Sequence, residues 1–328
     1  MKAVRVHQFG GPEVLTYENV PDPSAPGPDH ALVDIEVVGI NYSDTNYRRG
    51  FRMHQAVSLP LIPGHEAGGV VAAVGAGVSN VKAGDRVVFA GMHRFGTYRE
   101  KMLVPAVSCV PVPADFDLKL ATAVLNQGQT AHYLCHDAYP VKAGDRVLVH
   151  AGAGGVGSNL VQMTKQLGAF VFATVSSEDK AAFVRGLGAD KVIDYTQVDF
   201  AEVIRQDTAG KGVHAIFDAI GGEVLPKGLT CLTRRGHLLT YGQSAGPSPA
   251  IDWPPRGMAG SFYLSNHQGV DYSRPGEQTN RRAHEIFGWV TSGALKVRIH
   301  KEYALADAVQ AHRDLGSRAT MGKLLLIP

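Results

Sequence analysis

Cysteine is scarce in this chain: three among 328 residues, Cys109, Cys135 and Cys231, all far apart. An odd number with no CxxC spacing builds no disulfide framework, so a reducing cytosol is the natural compartment. An excess of one charge is missing too. Thirty-two Lys and Arg against 30 Asp and Glu leave a formal net charge of +2. That is too small and too dispersed to draw in nucleic acid or an anionic membrane surface. No apolar stretch approaches the roughly 20 residues of a membrane-spanning helix. Residues 1–17 alternate polar and apolar side chains and read as a strand and hairpin, so no secretory leader is expected there. Low-complexity segments and long linkers are absent as well.

What is abundant is glycine, 38 residues, gathered in short segments between apolar runs. Glycine there suits tight turns and loops that bring bare backbone close to a ligand. At roughly 150 residues per domain the length suggests two domains. Residues 1–125 are β-rich. Short apolar runs at 31–38, 68–74 and 86–89 are separated by turn clusters at 21–28 and 75–80, the rhythm of an antiparallel barrel or sandwich. Lys82-Ala-Gly-Asp-Arg86 precedes Val87-Val-Phe89, and Lys142-Ala-Gly-Asp-Arg146 precedes Val147-Leu-Val149. The two are one turn solution used twice, without a wider repeat.

From about residue 126 strands and helices alternate. Strands are predicted at 146–150, 170–175, 191–194, 213–218 and 236–241, and helices at 155–167, 178–187, 200–208 and 224–232. This alternation predicts a parallel, doubly wound sheet. After about 266 the pattern changes to a helix at 281–292, a strand at 296–299, a helix at 304–315 and a final strand at 323–327. The tail is expected to return to the first domain. The expected fold is therefore α/β, with a domain of residues 126–265 inserted in a domain of residues 1–125 plus 266–328.

The strongest local signal is Gly152-Ala-Gly154-Gly155-Val-Gly157, which follows a β-type run and opens a helix. A pyrophosphate must approach bare N–H groups at a helix N-terminus, where the macrodipole favours anions. An NAD site places Asp or Glu at the end of the second strand to bind the ribose hydroxyls. Here that strand ends Thr174-Val-Ser176-Ser177, Lys180 follows one turn later, and Tyr195 sits just after the third strand. A hydroxyl with a nearby cation suits a 2′-phosphate, which favours NADPH. Taken singly, Ser176 could equally cap a helix and Lys180 could lie on a solvated helix face.

Several motifs resemble a known family. His150-Ala-Gly-Ala-Gly-Gly-Val-Gly157, Gly39-Ile-Asn41-Tyr-Ser-Asp44, Leu61-Ile-Pro-Gly64-His65-Glu66, Gln127-Gly128-Gln-Thr130-Ala131-His-Tyr133 and Ser317-Arg-Ala-Thr-Met-Gly-Lys323 resemble the zinc-independent quinone oxidoreductases. These are the ζ-crystallin-like branch of the medium-chain dehydrogenase/reductases. The likeness extends collinearly over residues 1–328. It implies a Rossmann domain inserted in a GroES-like catalytic domain, and usually a homodimer. It further implies cofactor contacts from Asn41, Thr130, the backbone of Gly154, Gly155 and Val156, Ser176, Lys180, Tyr195, Tyr241, Gly242 and Ser244. Asn41 and Thr130, with Tyr47, are the candidate catalytic residues; without the resemblance the Asn41 amide could as well cap a turn.

Zinc-containing relatives bind catalytic zinc through Cys, His and Cys, with the His in a Gly-His-Glu like Gly64-His65-Glu66. A catalytic zinc needs about three protein ligands. Asn41 to Ser43 stand where the first Cys would be, none lies in 126–130, and Cys135 falls too far along the next helix, so no metal is expected. Without a Lewis acid a simple ketone is a poor acceptor, whereas a quinone or enone delocalises the incoming charge. Related enoyl reductases carry a Tyr where this chain has Arg52; Tyr47 and Tyr42 remain as substitutes or as packing. No Ser-His-Asp order stands out. The leading expectation is an NADPH:quinone reductase. The alternatives are an NADPH-dependent enone or 2-alkenal double-bond reductase, and a non-catalytic NADPH-binding structural or RNA-binding protein.

Overall fold

The computed structural model describes residues 1–51, 58–91, 96–251 and 260–328; Arg52 lies outside them. They form two compact units, Met1–Gln129 with Ser273–Pro328, and Thr130–Tyr272.

The first unit opens with an antiparallel hairpin, β1 (Lys2–Val6) and β2 (Leu15–Asn19). The long strand β3 (His30–Ile40) follows, then helix α1 (Tyr42–Arg48), β4 (Glu66–Val74), β5 (Arg86–Ala90), β6 (Lys101–Pro105), β7 (Val110–Pro111) and helix α2 (Leu118–Tyr133). β3 is the spine. One edge pairs with β4; the other is shared by β6 at residues 30–34 and by the last strand of the chain at residues 38–40. Along β3, Ala31, Val33 and Ile35 point inward while the residues between them are more exposed, the period-two pattern that lets one face be buried. Val71, Val87, Phe89, Val104, Leu324 and Leu326 complete that core. A fully buried side chain of this kind contributes roughly 1.5–3 kcal/mol.

The second unit continues with β8 (Arg146–Val149), α3 (Gly155–Gln166), β9 (Phe170–Val175), α4 (Glu178–Gly186), β10 (Lys191–Asp194), α5 (Phe200–Asp207), β11 (Val213–Asp218), α6 (Val224–Leu229), β12 (Leu232–Thr240), β13 (Phe262–Asn266) and α7 (Gly269–Tyr272). Its strands lie in the order β10-β9-β8-β11-β12-β13, every neighbouring pair parallel. This is the doubly wound Rossmann arrangement, with the direction of winding reversing between β8 and β11. The chain then returns to the first unit as α8 (Glu277–Thr291), β14 (Ile299–Ala304), α9 (Ala308–Gly316) and β15 (Lys323–Ile327).

Three details depart from the expected elements. α3 buries polar Ser158, Asn159 and Gln162 along with Leu160, Val161 and Thr164. Their polar atoms are satisfied within the helix: Asn159 donates to the Gly155 carbonyl at 2.9 Å, Gln162 to Ser158 at 3.0 Å and Thr164 to Leu160 at 2.6 Å. Such back-bonding makes a polar face compatible with burial. The sheet gains β13, a five-residue edge strand whose apolar run is only Phe262, Tyr263 and Leu264 and whose residues are mostly exposed. The tail strand lies at residues 299–304, where only Tyr303 is fully buried.

Cys109, Cys135 and Cys231 are all free and buried. Burial pushes the thiols of Cys109 and Cys231 up to about 12 and about 11 and raises that of Cys135 further. No helix among the described residues is long and apolar enough to cross a membrane.

β3 and β4 approach closely where their register shifts. A Cβ at Gly69 would collide with the Asp34 carbonyl oxygen. Gly69→Ala is therefore expected to destabilise the protein by about 1–3 kcal/mol through overpacking, read as a lowered melting temperature in calorimetry. An unchanged melting temperature would show that the strands part at no cost.

Candidate active site

The loop between β8 and α3 is built on backbone contacts. Ala151 sits in the left-handed region, φ 52°, at about 1–2 kcal/mol of strain, and its carbonyl accepts from Gly154 N–H at 2.9 Å. A Cβ at Gly157 would collide with that same carbonyl, and one at Gly152 would press on Ala173 at 3.0 Å. Gly154 is the N-cap of α3 and supplies no side-chain cap. The first-turn amides at Gly155, Val156 and Gly157 have no intrahelical acceptor ahead of them. The loop is thus an anion-ready helix start with no side chain over it.

Ser176 and Lys180 meet at the carboxyl end of β9, where Lys180 Nζ donates to Ser176 Oγ at 3.3 Å. The N-cap of α4 is Ser177, which accepts from Lys180 N–H at 3.4 Å, so Ser176 is not consumed as a cap. Tyr195 is held beside them by its N–H to the Val175 carbonyl at 3.1 Å, with its ring exposed. Of the nearest acids, Glu178 is drawn away by Arg185 at 2.6 Å. The loop after β12 is tied to the end of β11: Tyr241 N–H donates to Asp218 O at 2.9 Å and Ser244 N–H to Ala219 O at 3.0 Å. Gly242 lies against Ala219, where a Cβ would come within 2.9 Å of its carbonyl oxygen. In this loop the buried Tyr241 hydroxyl and Gln243 Oε1 have no hydrogen-bond partner. Unpartnered buried polar atoms in the loop after β12, together with a side-chain-free helix start after β8, fit a dinucleotide. Asp218, missed in the sequence, orders the turn after β11 by accepting from Ile220 and Gly221 N–H at 2.7 and 3.2 Å. Burial pushes its carboxyl up to about 6 against those bonds.

The candidates in the first unit lie around α1. Asn41 is 6 % exposed and its amide is fully engaged. Oδ1 accepts from Lys323 Nζ at 3.0 Å and Asn126 Nδ2 at 3.1 Å; Nδ2 donates to Glu66 Oε2 at 2.9 Å and Gly39 O at 3.3 Å. An amide has two acceptor and two donor positions, so a ligand can bond this side chain only by displacing one of the four. Tyr47 is packed in the core, its phenol pushed up to about 12 by burial and then by Asp44. Thr130 lies half-buried on α2, at the start of the other unit.

Behind Asn41 runs a buried chain that no sequence order announced. His65 Nδ1 donates to Asp44 Oδ1 at 3.0 Å, and Ser43 Oγ lies 3.5 Å from His65 Nε2. The Tyr98 hydroxyl donates to Asp44 Oδ2 at 3.1 Å, and His312 Nε2 stands 2.9 Å from that hydroxyl. Arg48 Nη1 is 2.9 Å from His312 Nδ1. Because a guanidinium only donates, Nδ1 carries the lone pair and Nε2 the proton, which fixes the direction of every bond in the chain. Burial opposes the Asp44 carboxylate, but His65 and the Asn41 N–H hold it below its usual range. Burial pushes His312 down to about 4 against the pull of Asp44, and raises the Tyr98 phenol. Sequence reasoning had Ser43, Asp44 and His65 in view but not Tyr98, which lies 54 residues from Asp44, or His312, which lies 214 residues beyond Tyr98 and reaches Asp44 only through it.

For a metal the residues do not fit: among those described, no group of three His, Cys, Asp or Glu could hold an ion. His65 faces Ser43 and Asp44, a hydroxyl and a carboxylate already shared with Tyr98.

Comparison with known proteins places this geometry. A family model described as alcohol dehydrogenase GroES-like domain matches residues 27–114, and one described as zinc-binding dehydrogenase matches residues 187–326. A 2-haloacrylate reductase of Burkholderia sp. is 37% identical, with 99% of this chain and 98% of the relative covered. A quinone oxidoreductase of Pseudomonas aeruginosa is 35% identical, with 100% and 99% covered. The crystal structure of Escherichia coli quinone oxidoreductase complexed with NADPH superposes with a TM-score of 0.95 at 35% identity, covering 100% of both chains.

His312 and His150, the latter pushed down to about 3 by burial, stay neutral in the fold while an unfolded histidine protonates near pH 6.5. Between about pH 6.5 and 4 the unfolded state therefore binds more protons, and stability falls as pH drops through that window, by on the order of 3 kcal/mol for His312. Urea denaturation at about pH 7 and 4.5 is expected to show this fall, with a shallower one in His312→Gln. Parallel curves for the two proteins would remove His312 from the account.

Proposed function

The chain belongs to the zinc-independent quinone oxidoreductase branch of the medium-chain dehydrogenase/reductase superfamily, and on that premise we propose that it is an NADPH-dependent enzyme that reduces a quinone by hydride transfer. The observation that carries the reading is the line of sites at the carboxyl ends of the Rossmann strands: an uncapped glycine helix start after β8, and a Ser176–Lys180 pair at the end of β9, where the strand itself ends without a carboxylate. Bound NADPH supplies the hydride. The amides of Gly154, Gly155 and Val156 receive its pyrophosphate. Ser176, Lys180 and Tyr195 receive the 2′-phosphate, a group that a carboxylate in their place would repel. Tyr241, Gly242 and Ser244, with Asn41 and Thr130, are assigned to the cofactor through the resemblance, and the unpartnered Tyr241 hydroxyl supports that assignment.

The acceptor follows from the described residues, which bring together no set of metal ligands to hold a Lewis acid. A ketone taking up hydride becomes a localised alkoxide, which needs a cation or strong donors to stabilise it. A quinone spreads the same charge over its ring, so holding it in line with the donor is the main requirement. The relative that reduces 2-haloacrylate favours a second reading, reduction of a conjugated C=C bond with the same cofactor. We assign the protein to the reducing cytosol, supported by its three buried free thiols. We also assign it a homodimer, supported by the exposed edge strand β13 with Tyr263 and Leu264, since long open edges are normally covered.

A stopped-flow assay against quinones, 2-alkenals and ketones tests the reading. NADPH is expected to outperform NADH, quinones to outpace 2-alkenals, ketones to be inert and a chelator to have no effect. Lys180→Ala is expected to weaken NADPH about 10- to 100-fold, the worth of one charge-assisted bond, and to leave NADH nearly unchanged. Chelator inhibition or NADH preference would refute the assignment.

A further inference from the structure

A conjugated carbonyl that takes up hydride gathers negative charge on its oxygen, and a hydrogen-bond donor aimed at that oxygen lowers the barrier. We propose that Tyr272, steered by His267 and Ser265, is that donor, an inference that rests on the quinone reductase reading above.

The order of the sheet gives the place. Ser176 and Lys180 stand just past the end of β9, and the glycine loop follows β8. The strands run in the order β10-β9-β8-β11-β12-β13. A dinucleotide with its 2′-phosphate at β9 and its pyrophosphate at β8 therefore carries its nicotinamide toward β11, β12 and β13. At the carboxyl end of β13, Ser265 Oγ lies 2.8 Å from His267 Nε2, and His267 Nδ1 lies 2.9 Å from the Tyr272 hydroxyl. The His267 N–H donates to Thr240 O at 2.8 Å, which ties the group to the strand end just before Tyr241. The Tyr272 ring is stacked on Tyr133, with 4.4 Å between centroids and 6° between planes. Tyr133 is itself buried, so the phenol rests on a fixed base.

Ser265, His267 and Tyr272 are each half-buried. Burial lowers His267 from its usual range, so at neutral pH the ring is uncharged. It donates from one nitrogen and accepts at the other. When Ser265 donates to Nε2, Nδ1–H donates to the Tyr272 oxygen and the phenolic proton is turned to the acceptor. In the other tautomer Tyr272 spends its proton on Nδ1. An acceptor oxygen selects the first arrangement, and no ion has to enter the site. Burial and then Asp271 raise the Tyr272 phenol, which keeps it protonated at neutral pH, as a donor must be. Neighbouring hydroxyls are less suited: Ser265 is engaged with His267, and the buried Tyr241 hydroxyl belongs to the loop assigned to the cofactor. In these terms Tyr272 is the catalytic residue, and His267 and Ser265 are positioning residues.

The test uses full-length protein, NADPH and a series of substituted 1,4-naphthoquinones of graded reduction potential, read as the single-turnover rate of NADPH oxidation. Tyr272→Phe, which keeps the ring stacked on Tyr133, is expected to lose about 10-fold with the most weakly oxidising quinone, the lower range for a hydrogen bond to a charged group. Its fluorescence-titrated NADPH affinity should be unchanged. The loss should shrink as the potential rises, since a more electron-poor quinone holds the charge unaided. His267→Leu should repeat both the loss and its dependence on potential. His267→Gln, whose amide N–H still reaches Tyr272, should recover most of the rate. If the wild type reduces the quinones and Tyr272→Phe matches it, or is slowed equally across the series, the inference falls while the parent reading stands. A wild type that binds NADPH but leaves every quinone untouched overturns both.

Discussion

A carboxylate with no access to water organises the first unit. Glu66 is 0 % exposed and forms an ion pair with Lys323, itself 1 % exposed. Burying two charges costs several kcal/mol per ion unless geometry and further bonds offset it. Here Oε1 accepts the Asn126 N–H at 2.8 Å, and Oε2 takes both Lys323 and the Asn41 amide. Four segments distant in sequence converge on that one group: the end of β3, the start of β4, helix α2 and the first residue of β15. Gly39 is glycine because a Cβ there would press on Glu66 and on Lys323 Cε at 2.9 Å. Removing either ion would leave the other buried and unpaired, a loss of about 3–5 kcal/mol. Asn41 inherits its orientation from this pair, and through its own N–H to Asp44 Oδ2 at 2.9 Å it passes that order on to the chain of His65, Tyr98 and His312.

The second unit solves a different problem by different means. Its site must receive a large anion without offering a formal charge at every phosphate, so it uses oriented amides instead of side chains. Strain at Ala151 and the forbidden Cβ positions at Gly152 and Gly157 are the local cost of that exposure. Formal charge enters only where the cofactor's distinguishing phosphate is expected, at Lys180. One unit thus satisfies charge by burying its partners around it; the other leaves backbone dipoles open for a partner to come.

Much of this was legible beforehand, because its signals are local. The strands at 170–175 and 213–218 coincide with observed inner strands, since buried parallel strands read as near-continuous apolar runs, and the predicted 191–194 coincides with the edge strand β10. The doubly wound order follows from the alternation of strands and helices, and the glycine loop from its position between them. What the sequence hid is non-local or unmarked by hydrophobicity. β13 is a short, mostly exposed edge strand whose apolar run is only Phe262, Tyr263 and Leu264. The polar buried face of α3 is legible only once its back-bonds are known. The Arg48–His312–Tyr98–Asp44–His65 chain gathers single residues from four places along the chain, with no spacing rule to connect them. Asn41 was singled out for what it could offer a ligand, whereas its amide is wholly engaged inside the fold, a fact that only the positions of Lys323 and Asn126 reveal.

The three cysteines carry a consequence for an enzyme of this chemistry. Quinones and conjugated enals are alkylating agents as well as hydride acceptors, and the species they attack is the thiolate. Cys109, Cys135 and Cys231 are all buried and held as thiols well above neutral pH. The folded chain therefore offers its own reactive acceptor no cysteine thiolate to arylate.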